Sequence, residues 1–208
     1  MTVALPPFVP LLGELVSLVP LARDDVPELH AAIGGPEVFA GGWGGGPAGH
    51  RPDRDEWVAY VRDYLPFGRG HVHGVRRAVP AGVDPREGEL VGTTTLGEFS
   101  LPAETAHVGW TAYAPSTWGT GVNVEAKLLV LGAAFDAGLG RVHLQADVLN
   151  ERSRAAILRL GATAEGVLRR TQRRADGTWR DTAVYSVLRD EWPEVRAGLV
   201  ARLAARRA

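Results

Sequence analysis

The 208-residue sequence contains no cysteine. This excludes a disulfide framework, a thiolate-ligated zinc and a cysteine nucleophile. A chain without thiols suits a reducing compartment, and the cytoplasm is the expected location. Lysine is nearly absent too: Lys127 is the only one, so arginine carries almost all the positive charge. Neither sign of charge is in excess, with 23 Lys+Arg against 24 Asp+Glu. A nucleic-acid partner is therefore not expected, since such proteins carry a basic surplus. No apolar run reaches the roughly 18 residues of a membrane span. The apolar start, Val3 to Leu21, is broken by Pro6, Pro7, Pro10, Glu14 and Pro20 and has no basic residue before Arg23, unlike a signal peptide. No membrane association is expected. The nucleotide-binding loop G-x-x-x-x-G-K-[ST] is missing as well.

What remains is the composition of a soluble globular chain, 45% hydrophobic and 23% charged. There is no internal repeat and no linker, so one domain is expected over 1–208, with a core at about 14–190 and a C-terminal helix at about 191–206. Val16 to Val19 reads as a strand. Asp24 or Asp25 can cap a helix to about Ile33, and Gly34-Gly35-Pro36 ends it. Gly41 to Pro47 is too rich in glycine for regular structure. A helix fits Asp53 to about Leu65. The period then changes to that of an antiparallel meander, with strands at His71–Val79, Leu90–Phe99 and Ala106–Tyr113. A long helix follows Gly121 to about Ala137. After a strand at Arg141–Leu149, Asn150 is a good N-cap for a helix that Gly161 closes. Asp176-Gly177 joins strands at Ala164–Thr171 and Thr178–Leu188. Val195, Leu199 and Leu203 form a stripe on the last helix, which packs on its own domain or on a second copy; a homodimer is expected. The order β-α-α-β-β-β-α-β-α-β-β plus a helix is a mixed α/β (α+β) layout around one mostly antiparallel sheet.

Two strand-to-helix junctions could carry chemistry. At Tyr113 to Asn123 a strand leads through Pro115-Ser116-Thr117-Trp118-Gly119-Thr120-Gly121 into the long helix. Backbone N–H groups and a helix N-terminus converge there on a site fit for a phosphate. At Asn150-Glu151-Arg152-Ser153 the Asn150 amide and Ser153 hydroxyl open a helix beside a strand end. His71-x-His73 places two imidazoles on one strand face, without a third evident ligand, so no metal is expected. Arg169, Arg170, Arg173 and Arg174 gather on the last hairpin, alternating between its faces: a charged edge, or a contact for a phosphate or an acidic acceptor.

These stretches, with Val124-Glu125-Ala126-Lys127, Ala134-Phe135, Gly140-Arg141-Val142, Leu160-Gly161-Ala162, Arg180-Asp181-Thr182, Tyr185-Ser186 and Glu191-Trp192, follow one another in an order and spacing that resembles the GCN5-related N-acetyltransferases. The resemblance runs from about residue 14 to 203 and is nearest to the branch that includes ribosomal-protein N-terminal acetyltransferases. It implies acetyl-CoA as cofactor. The family's phosphate pattern Q/R-x-x-G-x-G/A falls on Ser116 to Gly121, where Gly119 and Gly121 match and Ser116 departs from Gln or Arg. By the same resemblance Thr117, Trp118, Gly119, Thr120, Gly121, Val122 and Asn123 face the pyrophosphate. Thr111, Ala112 and Tyr113 bind the pantetheine arm, as do Asn150 and Ser153 from the other side. No tyrosine stands between Asn150 and Leu160, where many members keep their acid. Ser153 resembles the serine of the ribosomal-protein branch, a hydrogen-bond donor to the departing thiolate. The acceptor is a small-molecule or peptide primary amine. Glu98, at a strand end bordering the acceptor, is the candidate base, with His107 its rival and Asp147 and Glu125 further alternatives. Trp43, in a glycine-rich lid, and His107 are candidate acceptor contacts. A non-catalytic acyl-CoA-binding domain is the alternative from a different class.

Overall fold

The computed structural model describes residues 2–206. One eight-stranded sheet organises it, and its strands lie in the order β1-β2-β3-β4-β5-β6-β8-β7. The strands are β1 (Leu11–Leu12), β2 (Val16–Pro20), β3 (Gly70–Arg77), β4 (Leu90–Ser100), β5 (Thr105–Tyr113), β6 (Arg141–Asp147), β7 (Thr163–Arg173) and β8 (Trp179–Leu188). Every neighbouring pair is antiparallel except β5 and β6, which run parallel. The helices are α1 (Val26–Ile33), α2 (Pro36–Ala40), α3 (Arg54–Tyr64), α4 (Val122–Asp136), α5 (Glu151–Arg159) and α6 (Trp192–Ala204).

Local chemistry explains most of these boundaries. Asp53 Oδ1 accepts the amides of Asp55 and Glu56 at 2.9 and 3.0 Å and starts α3. Asn150 Oδ1 does the same for Ser153 N at 2.9 Å and starts α5. Gly161, at φ +96°, follows the end of α5 in the left-handed conformation that stops a helix. Two elements, β1 and α2, are additional to the sequence-based layout. Gly34-Gly35-Pro36 reads as a terminator, yet Pro36 sits at the start of α2, where its missing N–H costs nothing.

The sheet separates two apolar cores. On one face α4 and α6 bury Val130, Leu131, Phe135, Leu199 and Leu203 against strand residues such as Val108, Val142 and Leu144. On the other, α1, α2 and α3 bury Leu29, Ile33, Phe39, Trp57 and Val61. The stripe Val195, Leu199, Leu203 of α6 is thus buried on its own chain, and is not free for a second subunit. No described helix is long and apolar enough to cross a membrane.

Two β-bulges shape the centre of the sheet. In β4, Glu98 and Phe99 stand against the single residue Ala106 of β5, and Glu98 takes φ +50°. In β5, Trp110 and Thr111 stand against Thr94, and Trp110 takes φ +48°. Such an extra residue bends its strand and re-aims its side chains. Beyond the second bulge β5 no longer pairs with β6: the parallel ladder runs only from Thr105–Val108 against Arg141–Leu144. β6 instead continues alongside β8 to Asp147. The strands therefore part after Val108 and Leu144 and leave a wedge in the middle of the sheet.

Candidate active site

The wedge is the mouth of a cavity of about 440 Å³ lined by β5, β6, the turn before α4 and the first turns of α5. This size is in the range of small-molecule sites, roughly 300–1,000 Å³. The cavity passes through the sheet, so its two ends differ in chemistry.

At the α4 end lies the 115–121 turn. Thr117, Thr120 and Trp118 brace it: Thr117 Oγ1 donates to Ala114 O at 2.7 Å, Thr120 Oγ1 to Thr117 O at 2.5 Å, and Trp118 Nε1 to Tyr113 O at 2.9 Å. Gly119 sits at φ +74° with open space where a side chain would be. Gly121 has a different job. Its φ is −74°, and a Cβ there would stand 2.6 Å from Leu15 Cδ1 and 3.2 Å from Leu203 Cδ2. It is a packing glycine beneath α6, whereas Gly119 is a conformational one facing the cavity. Val122 N, the first amide of α4, donates to Thr120 Oγ1 at 3.3 Å, and Asn123 follows it at the cavity, at the positive end of the helix dipole. Arg202 and Arg206 of α6 also reach this end. Arg206 Nη1 donates to Gly119 O at 2.6 Å, and Arg202 Nη1 donates to Arg159 O. Both line the cavity, and neither was anticipated from the sequence, because a helix treated as a packing element gives no sign of which turn its arginines overhang. This end fits an anion such as a pyrophosphate: an open glycine turn, helix amides and two guanidinium groups.

The hairpin arginines are occupied elsewhere. Arg170 and Arg173 both lie over the Trp179 ring, at 4.6 and 4.2 Å, and Arg174 binds Asp147 through two bonds of 2.6 and 2.9 Å. The expected alternation of faces fails because β7 shifts register between Leu168 and Gln172, with Arg170 at φ +53°.

The α5 side of the wedge carries Asn150 and Ser153, both lining the cavity. The Asn150 oxygen caps Ser153 N and its nitrogen donates to Gly41 O. Asn150 thus ties the glycine-rich segment to α5, and the second N–H of its amide is left for a pantetheine arm. Arg152 lies 3.9 Å over the Trp118 ring and links the two walls of the mouth by a cation–π contact.

At the opposite end, facing α1 and α3, strand alternation sets a polar row. Val142, Leu144 and Ala146 of β6 enter the α4-side core, so His143, Gln145 and Asp147 face the other way. The β4 bulge brings Glu98 to the same place, with Oε2 3.5 Å from both His107 Nδ1 and His143 Nε2. Those neighbours, His107 first, hold the Glu98 carboxyl below its usual range despite partial burial. Burial lowers His143. Glu98 and His107 are therefore brought together, and His143, which the sequence reading missed, is their third member. The signal was available in the parallel register, which sets His107 beside His143. The two imidazoles stack at 4.7 Å with planes 13° apart, and Glu98, His107 and His143 each offer one ligand atom within 4.8 Å of the others, a grouping with the donors for a metal ion. His71 and His73 instead pack on Phe8, at 4.7 and 5.2 Å.

Trp43 also reaches this end, but as part of the core. It is 7% exposed, packs edge-on to Phe39 and Tyr64, and donates from Nε1 to Trp110 O at 3.3 Å. The segment expected to be a loose lid is built as short turns, with Gly42, Gly44, Gly45 and Gly46 all at positive φ.

Two other acids drop out as bases. Asp147 is held by Arg174 and lowered. Glu125, 4% exposed, accepts the amides of Glu14, Leu15 and Val16 at 3.0, 2.6 and 2.7 Å. It fixes the turn into β2 to α4. Glu125→Ala leaves three amides without their acceptor, so a loss of roughly 3 kcal/mol is expected. For a chain of this size that is a fall in Tm of about 6–12 °C, with acetyl-CoA affinity measured below Tm retained.

Lys127 is buried on the α4 side of the wedge. Its Nζ donates to Thr94 Oγ1 at 2.9 Å and Thr111 Oγ1 at 2.7 Å, the β4 residue opposite the β5 bulge and a residue of that bulge. Burial without an anion beside it pulls the ammonium down from 10.5 to about 7. Above pH 10.5 the amine is neutral folded or unfolded. Between 10.5 and 7 only the unfolded chain takes up the proton, so stability falls as pH falls through this window and levels off below it. Lys127→Met is expected to remove that slope and to raise stability at about pH 7.5 by about 2 kcal/mol. Denaturant titrations from about pH 6 to about pH 10, across that window, check both; an unchanged slope sinks the assignment.

A wedge between parallel strands joins an anion-fitting turn at one end to a carboxylate–histidine group at the other. Residues 16–163 match the Acetyltransferase (GNAT) domain family. An acetyltransferase structure from T. thermophilus is 32% identical over 94% of this chain and 97% of its own, with a TM-score of 0.76. A GCN5-related N-acetyltransferase from Brucella melitensis is 24% identical over 98% and 89%, with a TM-score of 0.81. Mycobacterium smegmatis RimJ, in complex with CoA-disulfide, is 23% identical over 92% and 90%, with a TM-score of 0.67. No curated protein matches the chain. The protein belongs to the GNAT acetyltransferase family and is an acyltransferase.

Proposed function

We propose that this protein transfers the acetyl group of acetyl-CoA directly to a primary amine, with both substrates bound in the one cavity. The observation that carries this reading is the continuity of that cavity from the Gly119 turn, through the parted strands, to Glu98. Acetyl-CoA supplies an activated thioester. The Gly119 turn, the first amides of α4, Arg202 and Arg206 hold its phosphates. The unpaired edge of β5, Gly109 to Tyr113, offers backbone groups to the pantetheine arm and to the charge that develops on the carbonyl oxygen. Glu98, supported by His107, draws in the ammonium and takes one proton from it, so that the neutral amine attacks the thioester carbonyl; the nitrogen of the adduct gives up its second proton as the C–S bond breaks. Ser153, in the first turn of α5, donates to the sulfur as it leaves. Ser153 and the likeness to RimJ support a place in the branch that includes ribosomal-protein acetyltransferases. The test is acetyl-CoA binding by calorimetry followed by CoA release with a panel of amines. Binding with amine-dependent release supports the reading; binding without release to any primary amine overturns it.

A further inference from the structure

Arg180 of β8 lines the α3 end of the cavity. Its neighbours Ala183, Tyr185 and Val187 point into the α4-side core, which leaves Arg180 and Thr182 on the face that carries Gln145, Asp147 and Glu98. Its Nε is buried and has no hydrogen-bond partner among the described residues. A guanidinium carries five donors and is strongly favoured when a planar anion meets it with two oxygens. No such anion is supplied by the described residues. Asp147, a carboxylate that acts on it electrostatically, is taken up by two bonds from Arg174. Tyr64, also beside it, is pushed up to about 12 by burial and stays neutral. Burial lowers Arg180 itself, which marks a cation short of compensation. The same end of the cavity is walled by the rings of Trp43, Tyr64 and Trp110, and across it stands the charged Glu98.

We infer that Arg180 is the anion-binding group of the acceptor pocket, and that the acceptor is a free amino acid with an aromatic side chain. The inference rests on the acetyl-transfer reading for what happens to the amine, but not for the carboxylate contact. The ammonium of such a zwitterion faces Glu98, its ring lies against the tryptophans, and its carboxylate closes the Arg180 fork. A peptide N-terminus, whose carboxylate is replaced by an amide, lacks that last contact.

Two measurements separate the inference from the reading it rests on. First, 3-phenylpropionate has the ring and carboxylate but no amine. It is expected to quench tryptophan fluorescence and raise Tm in the wild type and to do neither in Arg180→Gln, while phenethylamine binding changes less than about twofold. Arg180→Lys, which keeps the charge without the fork, is expected to retain part of the effect. An acetyl-CoA thermal shift of wild-type size shows that each variant is folded. Second, CoA release with L-phenylalanine is expected to exceed that with L-phenylalanine amide by about tenfold or more in kcat/KM, and Arg180→Gln to bring the two within about twofold. Equal binding of 3-phenylpropionate by wild type and Arg180→Gln overturns the inference, as does a preference for the amide. Arg180-dependent binding with no CoA release from any amine supports the anion subsite and overturns the transfer reading alone.

Discussion

Replacing Glu98 by glutamine is expected to lower kcat by about a hundredfold or more, the low end of what a general base contributes, while acetyl-CoA affinity stays within a factor of about two. The substitution keeps shape and hydrogen-bonding capacity and removes only the charge and the basic oxygen. Glu98 has the features of a group held for a task. It is half-exposed at the cavity, its backbone is at φ +50°, and two imidazoles lie 3.5 Å from one oxygen. A non-glycine residue in that region costs of order 1 kcal/mol or more and persists only where its surroundings impose it. Its lowered carboxyl means that protonation on the acid side begins below the ordinary value of 4.5, so activity attributable to Glu98 survives to a pH lower than a free carboxylate would allow. Single-turnover release of CoA against pH separates the cases. A variant with wild-type turnover, or one whose loss is matched by lost cofactor affinity, would falsify the assignment.

The layout was largely legible because its signals are local. Asn150 caps the helix it was expected to cap, the helix expected from Asp53 is there with Asp53 as its cap, Gly161 ends α5, and the change of period after Leu65 marks the meander. The site was legible at the Gly119 turn for the same reason. What escaped depends on bulges and on faces. One extra residue at Glu98 and at Trp110 reverses the side to which later residues point, two extra residues around Arg170 break the alternation there, and no periodicity reveals either. Hence Glu98 was found as a strand-end acid without His143, and the hairpin arginines were assigned to the wrong faces. Glu125 was read as an alternative base and Lys127 was given no role. Both are buried because α4 is covered on nearly every side. Arg180 entered the sequence reading only as part of Arg180-Asp181-Thr182, with no role of its own. Only the absence of an available anion among the described residues around it, a fact of tertiary structure, sets it apart.

Gly119→Asp is expected to weaken acetyl-CoA binding by roughly several hundredfold. A carboxylate about 4 Å from a phosphate, at the effective dielectric of a partly buried site, costs roughly 4 kcal/mol. Some of that is lost to salt, so the effect should shrink between about 0.05 and about 0.5 M NaCl. The position suits the test because the fold can accept the change. Nothing stands within 4 Å of a Cβ built there, and aspartate tolerates the left-handed backbone at φ +74° better than most residues. The matching glycine, Gly121, would not serve. Its added Cβ meets Leu15 and Leu203, so a loss of binding there would mix repulsion with a displaced α6 and the arginines it carries. Gly119→Asn separates charge from backbone: it is isosteric, shares the left-handed tolerance, and should bind acetyl-CoA nearly as the wild type does. Calorimetry on the three proteins decides. If Asp and Asn weaken binding equally, the turn acts through its conformation and the phosphates lie elsewhere. If only Asp does, the pyrophosphate sits against Gly119.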